Sequence, residues 1–192
     1  MTIRPATDAD LAAVATLHAD RIVEGFLSSL GTGFLRRLYR RVLRSEGGFV
    51  LVAADPAVQG FVAGVPDVGA LYREFLLRDG IVAGAVAAPK LFRALPRVVE
   101  TLRYPATTGE LPDAEILAVA VGAEWGGRGI GRELVRTAIG AFVAAGVHEA
   151  KVVTTADNAA ALAMYRAADF TSSAPVEVHA GRASEVLVWR AS

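Results

Sequence analysis

Two groups of residues in this 192-residue chain have the types and spacing to do chemistry. The first follows an apolar run, Ile116-Leu117-Ala118-Val119-Ala120-Val121. After four more residues it reads Gly126-Gly127-Arg128-Gly129-Ile130-Gly131, and Arg132-Glu133-Leu134-Val135 then begins a helical pattern. An apolar run of that length between turn signals fits a strand buried on both faces of a sheet. Strand, glycine loop and helix N-terminus in succession make an anion site. Glycines let a ligand approach the backbone, the first N–H groups of a helix have no partner inside it, and its dipole is positive at that end. A phosphate or pyrophosphate is the expected guest; read only as structure, the stretch is a turn that starts a helix.

Two familiar phosphate loops fail on spacing. A nucleoside-triphosphate loop counted from Gly122 would place lysine and a hydroxyl residue where Arg128 and Gly129 stand. A dinucleotide fingerprint counted from Gly127 would need glycine or alanine in place of Arg132. The second group lies downstream, where Asn158 is followed by Ala161, Tyr165 and Phe170 in an alanine-rich helical stretch. Loop and helix together resemble the GNAT acetyltransferase superfamily, whose acyl-CoA loop follows Gln/Arg-x-x-Gly-x-Gly/Ala. Gly129 and Gly131 match its glycines, and Asn158, Ala161, Tyr165 and Phe170 match its Asn-x-x-Ala-x-x-x-Tyr helix and the Phe of the Gly-Phe that ends it. Gly126 stands at the Gln/Arg position, and Asp169 replaces the glycine that usually ends the helix.

The resemblance implies a mixed α/β domain spanning residues 1–192, with central parallel strands that part to admit acetyl-CoA as co-substrate. By the same resemblance, backbone around Val119, Ala120 and Val121 binds the pantetheine arm and thioester. Gly127, Arg128, Gly129, Ile130, Gly131 and Arg132 hold the pyrophosphate, and Asn158 caps its helix, contacts the cofactor or does both. Tyr165 matches the family's acid, which protonates the departing sulfur; its plainer reading is a core tyrosine on a short helix. Acyl transfer to an amine also requires that the ammonium form lose a proton. Glu115, at the head of the central strand, is the candidate base, acting through water, or else a solvated carboxylate at a strand end. Glu110 and Asp113 either draw a cationic amine or are exposed loop charges.

These residues must be positioned by ordinary elements. Thr2 to Arg4 reads as an edge strand stopped by Pro5, and Thr7 with Asp10 as a capping box ahead of Leu11, Val14 and Leu17. Thr32 is placed to cap a second helix whose other face carries Arg36, Arg37, Arg40, Arg41 and Arg44. A hairpin is expected from residues 49–54 and 59–65, a helix after the glycine loop ending near Gly146, a strand over 149–155, and a final pair over 175–179 and 185–190. Residues 66–112 form an insertion ahead of the central strand, with helical patterns at 70–78 and 91–104 and an apolar stretch at 80–88 too short for a membrane. The insertion reads as an extra helical layer or homodimer surface, as a lid over the acceptor pocket, or as a mixture of these.

Composition narrows the chemistry further. With no cysteine, disulfides, thiolate metal sites and a cysteine nucleophile are excluded, so transfer is expected to be direct. His18, His148 and His179 lack ligand spacing and read as surface or packing residues, so no metal is expected. Zero net charge gives no electrostatic argument for nucleic acid. The N-terminal residues lack an apolar signal core, and a cytoplasmic protein is expected. The activity expected is transfer of acetyl from acetyl-CoA to an amine, with a small-molecule acceptor ahead of a protein N-terminus. The alternative is a non-catalytic acyl-CoA-binding or regulatory domain of the same fold.

Overall fold

The computed structural model describes residues 1–22, 26–78, 111–179 and 182–191. Chain order is β1 (Thr2–Pro5), α1 (Leu11–Arg21), α2 (Phe26–Ser29), α3 (Thr32–Arg44), β2 (Phe49–Ala54), β3 (Val58–Val65), α4 (Val68–Arg78) and β4 (Glu115–Val121). A short 3-10 turn (Ala123–Trp125) leads to α5 (Ile130–Ala144), β5 (Glu149–Thr155), α6 (Ala159–Arg166), β6 (Thr171–His179) and β7 (Arg182–Arg190). The expected insertion helix at 70–78 is α4. The patterns at 80–88 and 91–104, and with them the layer-or-lid question, lie outside the described residues.

One seven-stranded sheet runs β1-β2-β3-β4-β5-β7-β6. Neighbours are antiparallel except for β4 and β5, which are parallel. One face is covered by α1, α3 and α4 through Leu11, Val14, Leu35, Leu38, Tyr39, Leu71 and Phe75. The other is covered by α5 and α6 through Leu134, Phe142, Leu162 and Tyr165. Gly64 of β3 opens the space in which Phe49 and Phe142 meet edge to face at 5.0 Å; a Cβ there would lie 2.6 Å from the Phe49 ring.

The central strand departs from the expectation of burial on both faces. Its pairing with β3 shifts register between Ala63, opposite Ala118, and Gly64, opposite Ile116, so Leu117 is an extra residue with no partner. An extra residue reverses which face each later side chain takes. Ile116 packs with the α5/α6 layer, whereas Leu117, Ala118 and Ala120 pack with the α1/α3 layer and Val119 and Val121 turn to the opposite side. Leu117, Val119 and Val121 are only half-buried. The cause is the loss of a neighbour, described below.

Of the two expected helix starts, the first keeps half of its capping box, the bond from the Thr7 N–H to the Asp10 carboxylate, and the second differs. Asp10, rather than Thr7, immediately precedes α1, and its carboxylate reaches back to the Thr7 N–H at 2.8 Å and accepts the Thr7 hydroxyl at 2.9 Å. Arg4 completes the cluster with two parallel bonds to Asp10 of 2.8 and 2.9 Å, and these bonds hold the carboxyl well below the usual carboxylate range. Gly31, not Thr32, precedes α3, and its φ of +88° is one that a side chain rarely adopts.

Between α1 and α3 lies a buried polar pair. Tyr39 of α3 sits edge-on to Phe61 of β3 at 5.3 Å, and its hydroxyl meets His18 Nδ1 at the last turn of α1. Burial lowers the His18 pKa from 6.5 to about 4. The unfolded chain therefore takes up a proton at a pH where the native ring stays neutral. This contribution to stability is complete above pH 6.5 and is lost as pH falls toward 4. From pH 7 to pH 5, urea unfolding of the wild type is expected to lose about 2 kcal/mol more than unfolding of His18→Gln. Equal losses would show that His18 is not the group responsible.

Candidate functional site

The site begins where the two parallel strands separate. Pairing of β4 with β5 consists of Glu115 opposite Lys151 and Ile116 opposite Val152, with one further bond of 2.9 Å from the Lys151 N–H to the Ala114 carbonyl. From Leu117 onward β4 keeps its bonds to β3 but has no partner in β5, because the extra residue twists it away. Val119, Ala120 and Val121 pair with Val62, Phe61 and Gly60 on one side and face the gap on the other. On the far side, β5 is held by an unbroken antiparallel register with β7 from Glu149 to Thr155. The gap is thus a V-shaped opening within a continuous sheet.

The glycine loop stands at the open end. Gly127 and Gly129 adopt φ of +74° and +79°, a region that disfavours residues with a Cβ. The first helical bond of α5 runs from the Glu133 N–H to the Gly129 carbonyl at 3.1 Å. Among the described residues, no N–H from Gly127 to Arg132 finds a partner in the chain. Successive free N–H groups at a helix N-terminus are the elements of an anion cradle. Arg128 lies over the Trp125 ring with its guanidinium carbon 4.7 Å from the centroid, so the tryptophan packs against the loop and both groups stay near it. Gly126 has ordinary extended backbone and is exposed.

The helix that follows β5 packs beside this loop. Asn158 is its N-cap, with Oδ1 accepting from the Ala161 N–H at 3.1 Å. A Cβ on Gly131 would lie 2.8 Å from Met164 Sδ, which shows how closely α5 and α6 meet. The helix ends as expected: Asp169 takes the left-handed conformation at φ +63°, and the Phe170 N–H returns to the Tyr165 carbonyl at 3.1 Å. Tyr165 packs against Phe170 with ring centroids 5.6 Å apart, and burial raises its pKa. Its hydroxyl has no hydrogen-bond partner among the described residues. The enclosed polar side-chain atoms without a partner there are His18 Nε2 and Ser184 Oγ, and the Tyr165 hydroxyl is not one of them.

At the closed end of the gap, Glu115 and Lys151 face each other across the last paired register, with Oε2 and Nζ 3.6 Å apart. Lys151 is fully buried and also donates to the Pro112 carbonyl. Burial raises the Glu115 pKa, and the ammonium of Lys151 offsets part of that rise. Tyr72 of α4 lies close enough to Glu115 for the carboxylate to raise its pKa further, beyond the effect of burial. Glu115 is therefore not a solvated strand-end carboxylate, because its surroundings set its protonation.

Val119, Ala120 and Val121 line the separated part of β4, the residues from Gly127 to Arg132 follow at its C-terminal end, and Glu115 stands at its root, while Asn158 caps and Tyr165 belongs to the helix packed against α5. Asp113 is fixed through its carbonyl to the Val68 N–H, and Glu110 lies outside the described residues. His148 is exposed, whereas His18 is buried against Tyr39. Lys151, Tyr72 and the extra residue Leu117 were not singled out from sequence. A signal for Lys151 was present: it is one of only two lysines, placed inside a strand pattern. Tyr72 carried none, since its helix is separated from β4 by a long stretch of chain. Among the described residues no group of three or more His, Asp or Glu side chains is placed to hold a metal, and no helix is long and apolar enough to cross a membrane.

Comparison with known proteins agrees with this geometry. No curated protein sequence matches the chain significantly. Among solved structures, yncA of Salmonella typhimurium, solved with its cofactor acetyl-CoA, is similar with a TM-score of 0.67 at 20% identity, over 100% of this chain and 94% of that one. The ribosomal-protein-alanine N-acetyltransferase of Brucella melitensis gives 0.66 at 20% identity over 99% of both chains. The ribosomal-protein-S18-alanine N-acetyltransferase of Escherichia coli gives 0.61 at 14% identity, over 100% and 94%. At such identities these likenesses establish the fold. Residues 19–170 match the sequence profile of the acetyltransferase (GNAT) family, more than half of the chain and both of its motifs, and the chain belongs to that family.

Proposed function

We propose that this protein is a cytoplasmic N-acetyltransferase, a single domain that passes an acetyl group from acetyl-CoA directly to the amine of a small-molecule acceptor. The observation that carries this reading is the opening between β4 and β5 ending in a loop of unpartnered N–H groups. Such a gap suits an elongated thiol-bearing arm, and such a loop suits its diphosphate. Acetyl-CoA would supply an activated acyl carbon with a thiolate leaving group. The N–H groups from Gly127 to Arg132 would hold the diphosphate, with Arg128 and Arg132 adding positive charge at the rim. The free edge of β4 at Val119, Ala120 and Val121 offers backbone donors and acceptors to the arm and to the thioester oxygen, where charge develops.

Glu115 would take the proton that the ammonium must lose, through a water. Its raised pKa suits that task, because a base works best when its pKa approaches the ambient pH. Tyr165 would give its proton to the departing sulfur. Burial keeps the phenol protonated, as a proton donor must be. Asn158 fixes the start of the helix that carries Tyr165. A non-catalytic acyl-CoA-binding role is the second reading, favoured by one observation: Gly126 brings no side chain to the loop.

Calorimetry with coenzyme A should show binding, weakened on the order of tenfold in Gly129→Val, which strains a left-handed position; absence of heat with the wild type would remove both readings. Thiol release from acetyl-CoA over a panel of amines should fall roughly a hundredfold in kcat for Tyr165→Phe while coenzyme A affinity holds. Binding without thiol release on any amine would select the non-catalytic reading. In the wild type, kcat/KM should decline on acidification at a pH above the ordinary carboxylate range. Activity rises as Glu115 loses its proton, and Glu115→Gln should abolish that limb.

A further inference from the structure

The His18–Tyr39 pair has an unmet requirement. Tyr39 is enclosed, and the one acceptor its hydroxyl reaches among the described residues is His18 Nδ1. A buried phenol donates its hydrogen, so Nδ1 is the accepting nitrogen and carries no proton. In a neutral imidazole the proton then resides on Nε2. Burial keeps the ring neutral, with a pKa lowered to about 4. His18 is 2% exposed, yet its Nε2 has no partner. An enclosed N–H without an acceptor is costly and calls for a group not supplied by the chain.

The position of the pair indicates which group. α1 packs on β3 and β4, and its last turn carries His18. Tyr39 stands on Phe61, whose register partner is Ala120, within the part of β4 that has left β5. Ala118 and Ala120 present only methyl groups to this layer.

We propose that His18 Nε2–H is a binding contact for the acceptor, donating to a carbonyl or carboxylate oxygen close to the amine, so that the preferred substrates are α-amino amides, amino acids or peptide amines rather than simple alkylamines. This rests on the acetyl-transfer reading above and narrows its substrate class. Tyr39 acts through His18 as a positioning residue, by holding the proton on Nε2.

Two measurements test it separately. Two-bond proton–nitrogen spectra of histidine-labelled protein at pH 7, assigned by substituting each histidine in turn, should show His18 neutral with its proton on Nε2. Its resonance should move when glycinamide is added to the coenzyme A complex. A proton on Nδ1, or a resonance that glycinamide leaves unmoved (as a resident water would), overturns the proposal. Separately, the ratio of kcat/KM for glycinamide over propylamine should fall about tenfold in His18→Leu and in Tyr39→Phe, the loss expected for one hydrogen bond. A partial recovery is expected in His18→Gln, which keeps an N–H near the Nε2 position. Equal falls for both amines would show a purely structural pair. If no amine is acetylated, the acetyl-transfer reading fails, while the spectra still decide whether His18 binds the carbonyl group.

Discussion

One unpaired residue governs the architecture. Leu117 interrupts the β3–β4 register, and beyond it the central strand twists out of hydrogen-bonding reach of β5. Free backbone edges inside a sheet are normally closed by pairing, since buried N–H and C=O groups without partners are unfavourable. Here the edge is left open over several residues, which is tolerable only if solvent or a ligand satisfies it. The sheet does not come apart because β4 remains bound to β3, β5 remains bound to β7, and the α5/α6 layer packs across both sides of the gap. Ile116, Val152, Leu187 and Phe142 belong to one continuous core beneath it.

Polar groups are distributed unevenly around that opening. At its open end the groups are donors without partners: the loop N–H groups and the exposed guanidiniums of Arg128 and Arg132. At its closed end a carboxylate and an ammonium are withdrawn from water together. A buried pair of this kind adds little net stability, because desolvation offsets most of the attraction, but it does bear on the protonation of Glu115. The arrangement therefore makes more sense as control over Glu115 than as reinforcement of the fold. Donors are thus gathered at the rim, and a carboxylate is held at the root.

The layer formed by α1, α3 and α4 adds a second set of polar side chains, of which Tyr39 and His18 are enclosed and Tyr72 is partly buried. Tyr39, Tyr72 and His18 come from three different helices yet face the same side of the sheet, above small β4 residues. Interiors are packed tightly, and methyl-sized residues on a central strand leave room for larger groups from the covering layer. The aromatic rings fill that room, while their polar ends give the layer hydrogen-bonding capacity that a purely aliphatic cover would lack.

Local chemistry made much of this protein legible in its sequence. Glycines at Gly127 and Gly129 and the helical pattern that follows dictate a loop and a helix N-terminus, because the backbone needs φ above zero there. Asn158 as a cap and Asp169 as a left-handed helix end follow from the same short-range rules. The two stretches also carried the family resemblance, and with it the parting of the strands. Other features depended on residues far apart in the chain. Periodicity could not show that Leu117 is unpaired, because register is a relation between strands. The pairing of Glu115 with Lys151, the approach of Tyr72, and the enclosure of His18 by a tyrosine 21 positions away are consequences of helices and strands meeting in space. Motif and conformation are properties of neighbours in sequence; protonation and burial belong to neighbours in space, which tertiary packing alone decides.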